Sequence, residues 1–129
     1  MDMRELYERG LKLRKQLFGE AAVGKRMNAL GDFGAPLQNI INAYVYGDVW
    51  QRPALPLKMK SLAMLGITAA INRPDELRVH LNGALKNGCS ADEIREILLL
   101  VALYCGIPAA NEAHRIAYEI IKEHQAADT

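Results

Sequence analysis

Apolar and polar positions alternate along this chain with the three-and-four spacing of helices almost throughout. Met3 to Phe18 carries Leu6, Tyr7, Leu11, Leu17 and Phe18 near that spacing, with Gly19 placed to end the helix. A shorter helix is expected over about Glu20 to Leu30. In "GDFGAPLQNIINAYVYGDVW" the stripe is Leu37, Ile40, Ile41, Tyr44 and Val45, and Gly47 reads as the glycine just past a helix end. "DVWQRPALP" must be a loop, because two prolines within four residues cannot continue a helix.

Pro56 opens the next expected helix, which runs to about Ile71 and is apolar most of the way round. "NRPDELRVH" starts another, with Pro74 near its first position and Asp75 and Glu76 in the first turn, where the helix dipole favours anions. Gly88 ends it. Ser90 and Glu93 in "SADE" spell a capping box. The following helix becomes wholly apolar over "ILLLVALYC". "GIP" then breaks it, Gly106 taking a left-handed cap and Pro108 beginning the last helix. Ala109, Ala113, Ile116, Ala117, Ile120 and Ile121 share one side of that helix, and the polar "KEHQAADT" predicts a frayed tail.

No strand pattern or long repeat competes with this reading. The expected fold is all-α, about six or seven helices in one domain over residues 1–129. A helix apolar all round has to be covered on all sides, and a chain of 129 residues offers few places to cover two of them. Association of subunits through these segments is therefore expected.

Composition narrows the function. With 50% hydrophobic and 24% charged residues the chain is globular rather than disordered. A net charge of +1 lacks the basic footprint of a nucleic-acid binder and offers no cationic cluster for an anionic membrane. The charged start "MDMRELYERG" is unlike a signal peptide, and the longest apolar run, Ile97 to Cys105, falls far short of the ~20 residues that span a bilayer. A cytoplasmic location is expected. Cys89 and Cys105 form no C-x-x-C pair, and His80, His114 and His124 show no metal-ligand spacing, so two free thiols and no protein-held metal are expected.

Three stretches could carry chemistry. In "DELRVHLNGALKNG" the apolar stripe is Leu77, Leu81, Ala84 and Leu85, and His80 lies on its edge. Glu76, four residues earlier, is its neighbour on a helix. A carboxylate beside an imidazole fixes its tautomer and favours the protonated ring, the simplest general acid/base pair. The structural alternative is a core-edge histidine satisfied by a backbone carbonyl and Glu76. In "GDVWQRPALP", Trp50 and Arg52 would supply an apolar wall and a bidentate carboxylate binder. The alternative is a tryptophan packed into the core and an arginine paired with a surface acid. In "LYCGIPAANEAH" the break could free backbone N–H groups for an anion, or it is a plain corner between helices. Tyr104 beside it reads as core or subunit contact and is also carried as a substrate-binding candidate.

Taken together and in order, "ERG", "YGDVWQRPALPLKMKSL", "DELRVHLNGALKNGCSADEIRE" and "LYCGIPAANEA" resemble 4-carboxymuconolactone decarboxylase and its relatives over about Glu8 to Glu119. The resemblance implies the all-helical fold shared with alkylhydroperoxidase D, assembled as homotrimers or homohexamers. It implies a cofactor-free carboxy-lyase of aromatic degradation, the β-ketoadipate pathway, acting on a carboxylated lactone. In that setting Arg52 anchors a carboxylate and Trp50 shields the leaving carboxylate from water. His80, oriented by Glu76, delivers a proton or hydrogen-bonds the enolate, and Lys60 is a second cation at the pocket mouth. The superfamily's peroxidase branch carries C-x-x-C ahead of the corresponding histidine; here those positions are Arg73 and Glu76, so its thiol chemistry is not expected.

Two positions depart from the family pattern. Lys60 stands where arginine is usual, and a lysine lacks the planar fork. Leu100 stands where a histidine or glutamine is frequent, which would make the pocket drier. Two other readings therefore stand beside the first: a relative using the same pair on another lactone or keto acid, as decarboxylase or isomerase, and a non-catalytic helical oligomer that binds a small molecule or partner.

Overall fold

The computed structural model describes residues 1–128. Among them the secondary structure is entirely helical: α1 (Met3–Phe18), α2 (Glu20–Asn28), α3 (Gly31–Ile40), a π-helical segment (Ile41–Tyr46), a 3-10 turn (Val49–Gln51), α4 (Leu57–Ala70), α5 (Pro74–Lys86), α6 (Ala91–Cys105) and α7 (Ile107–Ala127). The chain forms two compact units, Met1–Leu55 and Pro56 onward.

In the first unit α1 starts at Asp2, whose side chain accepts the Glu5 N–H at 2.9 Å, and ends at Gly19 with φ +93°. Its buried residues are Gly10, Leu13, Arg14 and Leu17, so the inward face is only partly the expected one. α1 packs along the π-helical segment at backbone contact. A Cβ on Gly10 would stand 1.6 Å from the Asn42 carbonyl oxygen, and one on Gly47 would stand 2.2 Å from that of Leu6. Gly47 has φ −83°, so it is not the left-handed cap expected; it is needed because the two backbones leave no space for a side chain.

The stripe Leu37, Ile40, Tyr44 and Val45 does not face this unit's interior either. Those side chains are exposed, and Gly34, Asn42, Ala43 and Tyr46 are buried instead. For Tyr44 and Val45 the π turn is the cause, since its wider winding rotates them away from the α-helical register; Leu37 and Ile40 precede it, on the exposed side of α3 itself.

In the second unit α4, α5, α6 and α7 enclose a core of Leu65, Leu77, Leu81, Ile94, Leu98 and Ile116, with Ala69, Ala84, Ala110, Ala113 and Ala117 between them. The alanines let the helix axes come close while the branched residues fill the space. The α4–α5 corner turns at Asn72, φ 57°, one of the residue types that tolerate that conformation. The capping box forms: the Ser90 hydroxyl accepts the Glu93 N–H at 3.0 Å and the Glu93 carboxylate accepts the Ser90 N–H at 2.9 Å. Lys58 on α4 adds an ion pair to the same carboxylate at 3.1 Å. Gly106, φ +100°, separates α6 from α7 as expected. In place of the expected frayed tail, α7 continues through the polar stretch to Ala127, and Thr129 lies outside the described residues.

The wholly apolar part of α6 is covered on one side only. Leu98 and Val101 are buried, whereas Leu100, Leu103, Tyr104 and, at the start of α7, Ile107 are 53%, 78%, 82% and 68% exposed. No helix among the described residues is long and apolar enough to cross a membrane.

Candidate active site

α5 exists because Pro74 starts it, acidic residues occupy its first turn, and Leu77, Leu81 and Ala84 bury one face. His80 lies on that buried face and is only 8% exposed, its Nδ1 sealed from solvent. Glu76, one turn earlier, is at the surface. On the helix the two stand at i,i+4, with His80 on the buried side and Glu76 at the surface. Such a placement lets a proton be held in a dry setting beside a solvent-linked carboxylate.

Lys60 is half-buried in the first turn of α4, its N–H bonded to the Pro56 carbonyl at 3.0 Å. Tyr104 closes the exposed end of α6, so of the readings for it, burial in this unit's core does not hold. Leu100 is on the same exposed side. At "GIP" the structure is a corner: α6 stops at Cys105 and α7 begins at Ile107. Both cysteines are free. Cys89 is buried, with its thiol pKa pushed up, first by loss of solvent and then by the nearby Glu93.

Trp50 and Arg52 belong to the first unit. Trp50 is buried in the 3-10 turn, its ring 5.5 Å from that of Tyr46, which meets Phe18 edge-on at 5.7 Å. Arg52 is exposed and gripped by Asp48, Nε to Oδ1 at 3.2 Å and Nη2 to Oδ2 at 3.3 Å. That side-chain hydrogen bonding, with the carboxylate's charge, pushes the guanidinium pKa further up. Gln51 ties the turn to α1 through the Arg9 carbonyl at 3.3 Å. The geometry thus contains both contacts of the structural alternative, a packed tryptophan and a paired arginine. A substrate role for the two rests on the family pattern.

Sequence reasoning missed three members of this neighbourhood. Asp48 was legible as the residue four before Arg52. Asn42 and Arg14, both buried and bonded to each other at 3.1 Å, gave no signal, because polar residues are ordinarily assigned outward.

A sequence profile of the carboxymuconolactone decarboxylase family matches residues 35–119, a stretch that contains all six candidate residues. The chain is 38% identical over 123 residues to the 4-carboxymuconolactone decarboxylase of Acinetobacter baylyi, covering 95% of this chain and 92% of that one. It is 37% identical over 120 residues to the nitrosuccinic acid decarboxylase of Metarhizium robertsii, covering 93% and 84%.

Proposed function

This chain belongs to the carboxymuconolactone decarboxylase family and is a carboxy-lyase, and we propose that its substrate is 4-carboxymuconolactone, giving the 3-oxoadipate enol-lactone of protocatechuate degradation. The observation that carries the reading is His80, an imidazole buried on the core-facing side of α5 with Glu76 one turn away.

The substrate supplies its own electron sink. When CO₂ leaves the ring carbon, the electron pair moves through the ring double bond onto the lactone carbonyl, and the dienolate takes a proton at the carbon beside that carbonyl. The protein has to hold two carboxylates, stabilise the enolate oxygen and deliver one proton. On this reading His80, oriented by Glu76, gives the proton or hydrogen-bonds the enolate. Arg52 anchors a carboxylate, Trp50 keeps water from the leaving one, and Lys60 and Tyr104 complete the binding set.

A second substrate is favoured by one specific observation, the nitrosuccinic acid decarboxylase among the relatives. Nitrosuccinate also joins two carboxylates to an electron sink, its nitro group, and the departures at Lys60 and Leu100 suit a change of substrate within the same chemistry. CO₂ release is the deciding measurement, with the lactone generated in situ by its cycloisomerase and nitrosuccinate assayed beside it. Release from the lactone well above its spontaneous rate is expected. A folded protein that is inert toward the lactone and active on nitrosuccinate overturns the first substrate and establishes the second.

The same reading places the chain in the cytoplasm and has it work as a homotrimer or homohexamer; the bare apolar sides of α6 and of the α3–π segment support the association. Light scattering on the purified protein is expected to give three or six times the 14.3 kDa chain mass. A monodisperse monomer at micromolar concentration would sink the assembly.

A further inference from the structure

Arg14 is only 5% exposed and has no place in the chemistry above. Its Nη1 donates to Gln38 Oε1 at 2.8 Å and to Asn42 Oδ1 at 3.1 Å, and its guanidinium carbon lies 5.8 Å from the centre of the Tyr46 ring. Both acceptors are neutral amides. A guanidinium remains charged in proteins, and burying one among neutral groups is costly; an apolar side chain of similar volume would fill the space at lower free energy. What such a side chain could not supply is direction.

The two acceptors stand on either side of one junction. Gln38 is in the last turn of α3, and Asn42 is in the π-helical segment that begins at Ile41. One nitrogen of Arg14 therefore bridges the change of winding. A π turn is intrinsically disfavoured and persists where its surroundings hold it. Relaxation to α-helix would rotate everything after the junction by about one residue, roughly 100°. Tyr46 is the last residue of the π segment, and its ring packs against both Arg14 and Trp50.

We propose that Arg14 is a positioning residue for the substrate-binding loop: through Gln38 and Asn42 it fixes the register of the π turn, and through Tyr46 it sets where Trp50 stands. The proposal rests on the reading of Trp50 and Arg52 as substrate contacts. Arg14 itself lies outside the residues that the family profile matches.

Trp50 is the chain's single tryptophan, so intrinsic fluorescence reports its surroundings without any turnover. Arg14→Met, Arg14→Lys and the milder Gln38→Ala are compared with the unaltered protein by emission maximum, acrylamide quenching and the kinetics of CO₂ release. Trp50→Phe serves as the kinetic control. In Arg14→Met we expect red-shifted, more quenchable emission and a KM raised on the order of tenfold, with kcat within about twofold. Gln38→Ala shifts both in the same direction by less, and Arg14→Lys restores part of each. If Arg14→Met does not fold, Gln38→Ala decides by the same readouts.

Unchanged emission and KM in a folded variant overturn the proposal, whatever the melting temperature does. Shifted emission with unchanged KM also overturns it when Trp50→Phe raises KM. If Trp50→Phe leaves KM unchanged too, the substrate role of Trp50 is what fails, and the emission shift upholds Arg14's hold on it.

Discussion

Replacing His80 by glutamine is expected to lower decarboxylation by about 10²–10⁴-fold while leaving helix content and assembly intact, the usual range for losing a positioned proton donor. Glutamine is close to histidine in size and keeps a hydrogen-bonding end, so the buried face of α5 still closes over Leu77, Leu81 and Ala84. It has no titrating proton near neutrality. Glu76→Gln keeps a hydrogen-bond acceptor at the rim and removes its charge, and its loss should be smaller, since it acts through the imidazole. Steady-state CO₂ release, read beside circular dichroism of the same samples, separates lost chemistry from lost fold. An unchanged rate in a folded His80→Gln protein would remove the histidine from the mechanism and leave the core-edge role as its explanation.

The largest effect on stability is expected from a single methyl group at residue 10. Alanine there would put Cβ 1.6 Å from the Asn42 carbonyl oxygen and 2.6 Å from the Gly47 nitrogen, and both are backbone atoms that no rotamer change can move aside. α1 and the π-helical segment would have to separate, exposing Leu13 and Leu17 and opening the Arg14 network. We expect a loss of at least about 3 kcal/mol, the upper part of the overpacking range. The control is Gly24→Ala: Gly24 is also helical, but nothing lies within 4 Å of the place its added methyl would occupy. That substitution should stabilise by about 0.5–1 kcal/mol through backbone entropy. Urea denaturation measures both, and equal midpoints for the two variants would mean that α1 and the π-helical segment part at little cost.

Where local chemistry decides an element, it was readable from the sequence. Gly19 ends α1, Pro74 starts α5, Ser90 and Glu93 form their reciprocal cap, and Gly106 turns the chain between α6 and α7. Glu76 and His80 were legible as neighbours because i,i+4 is a property of one helix alone. The π turn was not. Its side chains Ile41 to Tyr46 satisfy a three-and-four pattern as well as they satisfy the wider one, so Tyr44 and Val45 pointed to a core that lies elsewhere. Leu37 and Ile40, on α3 before the turn, are apolar residues on a face this unit leaves bare. Gly47 looked like a cap because glycine's usual reason is its φ, whereas here the reason is a neighbouring backbone. Arg14 escaped because nothing within its own helix indicates a buried guanidinium; its partners are 24 and 28 residues away.

The grip of Asp48 on Arg52 bears on how fast and how selectively a dianion would be taken up. A guanidinium already neutralised by a carboxylate casts little field beyond its own contact distance, and a net charge of +1 over the chain adds almost none. On the proposed reading, a substrate carboxylate reaching Arg52 would trade places with Asp48 or share its donors, one anion for another, so the Coulombic gain would largely cancel. Arg52 therefore adds little steering of its own on that reading, and its part in the encounter would depend little on ionic strength. Discrimination at Arg52 would then fall to the shape of the anion that completes the exchange.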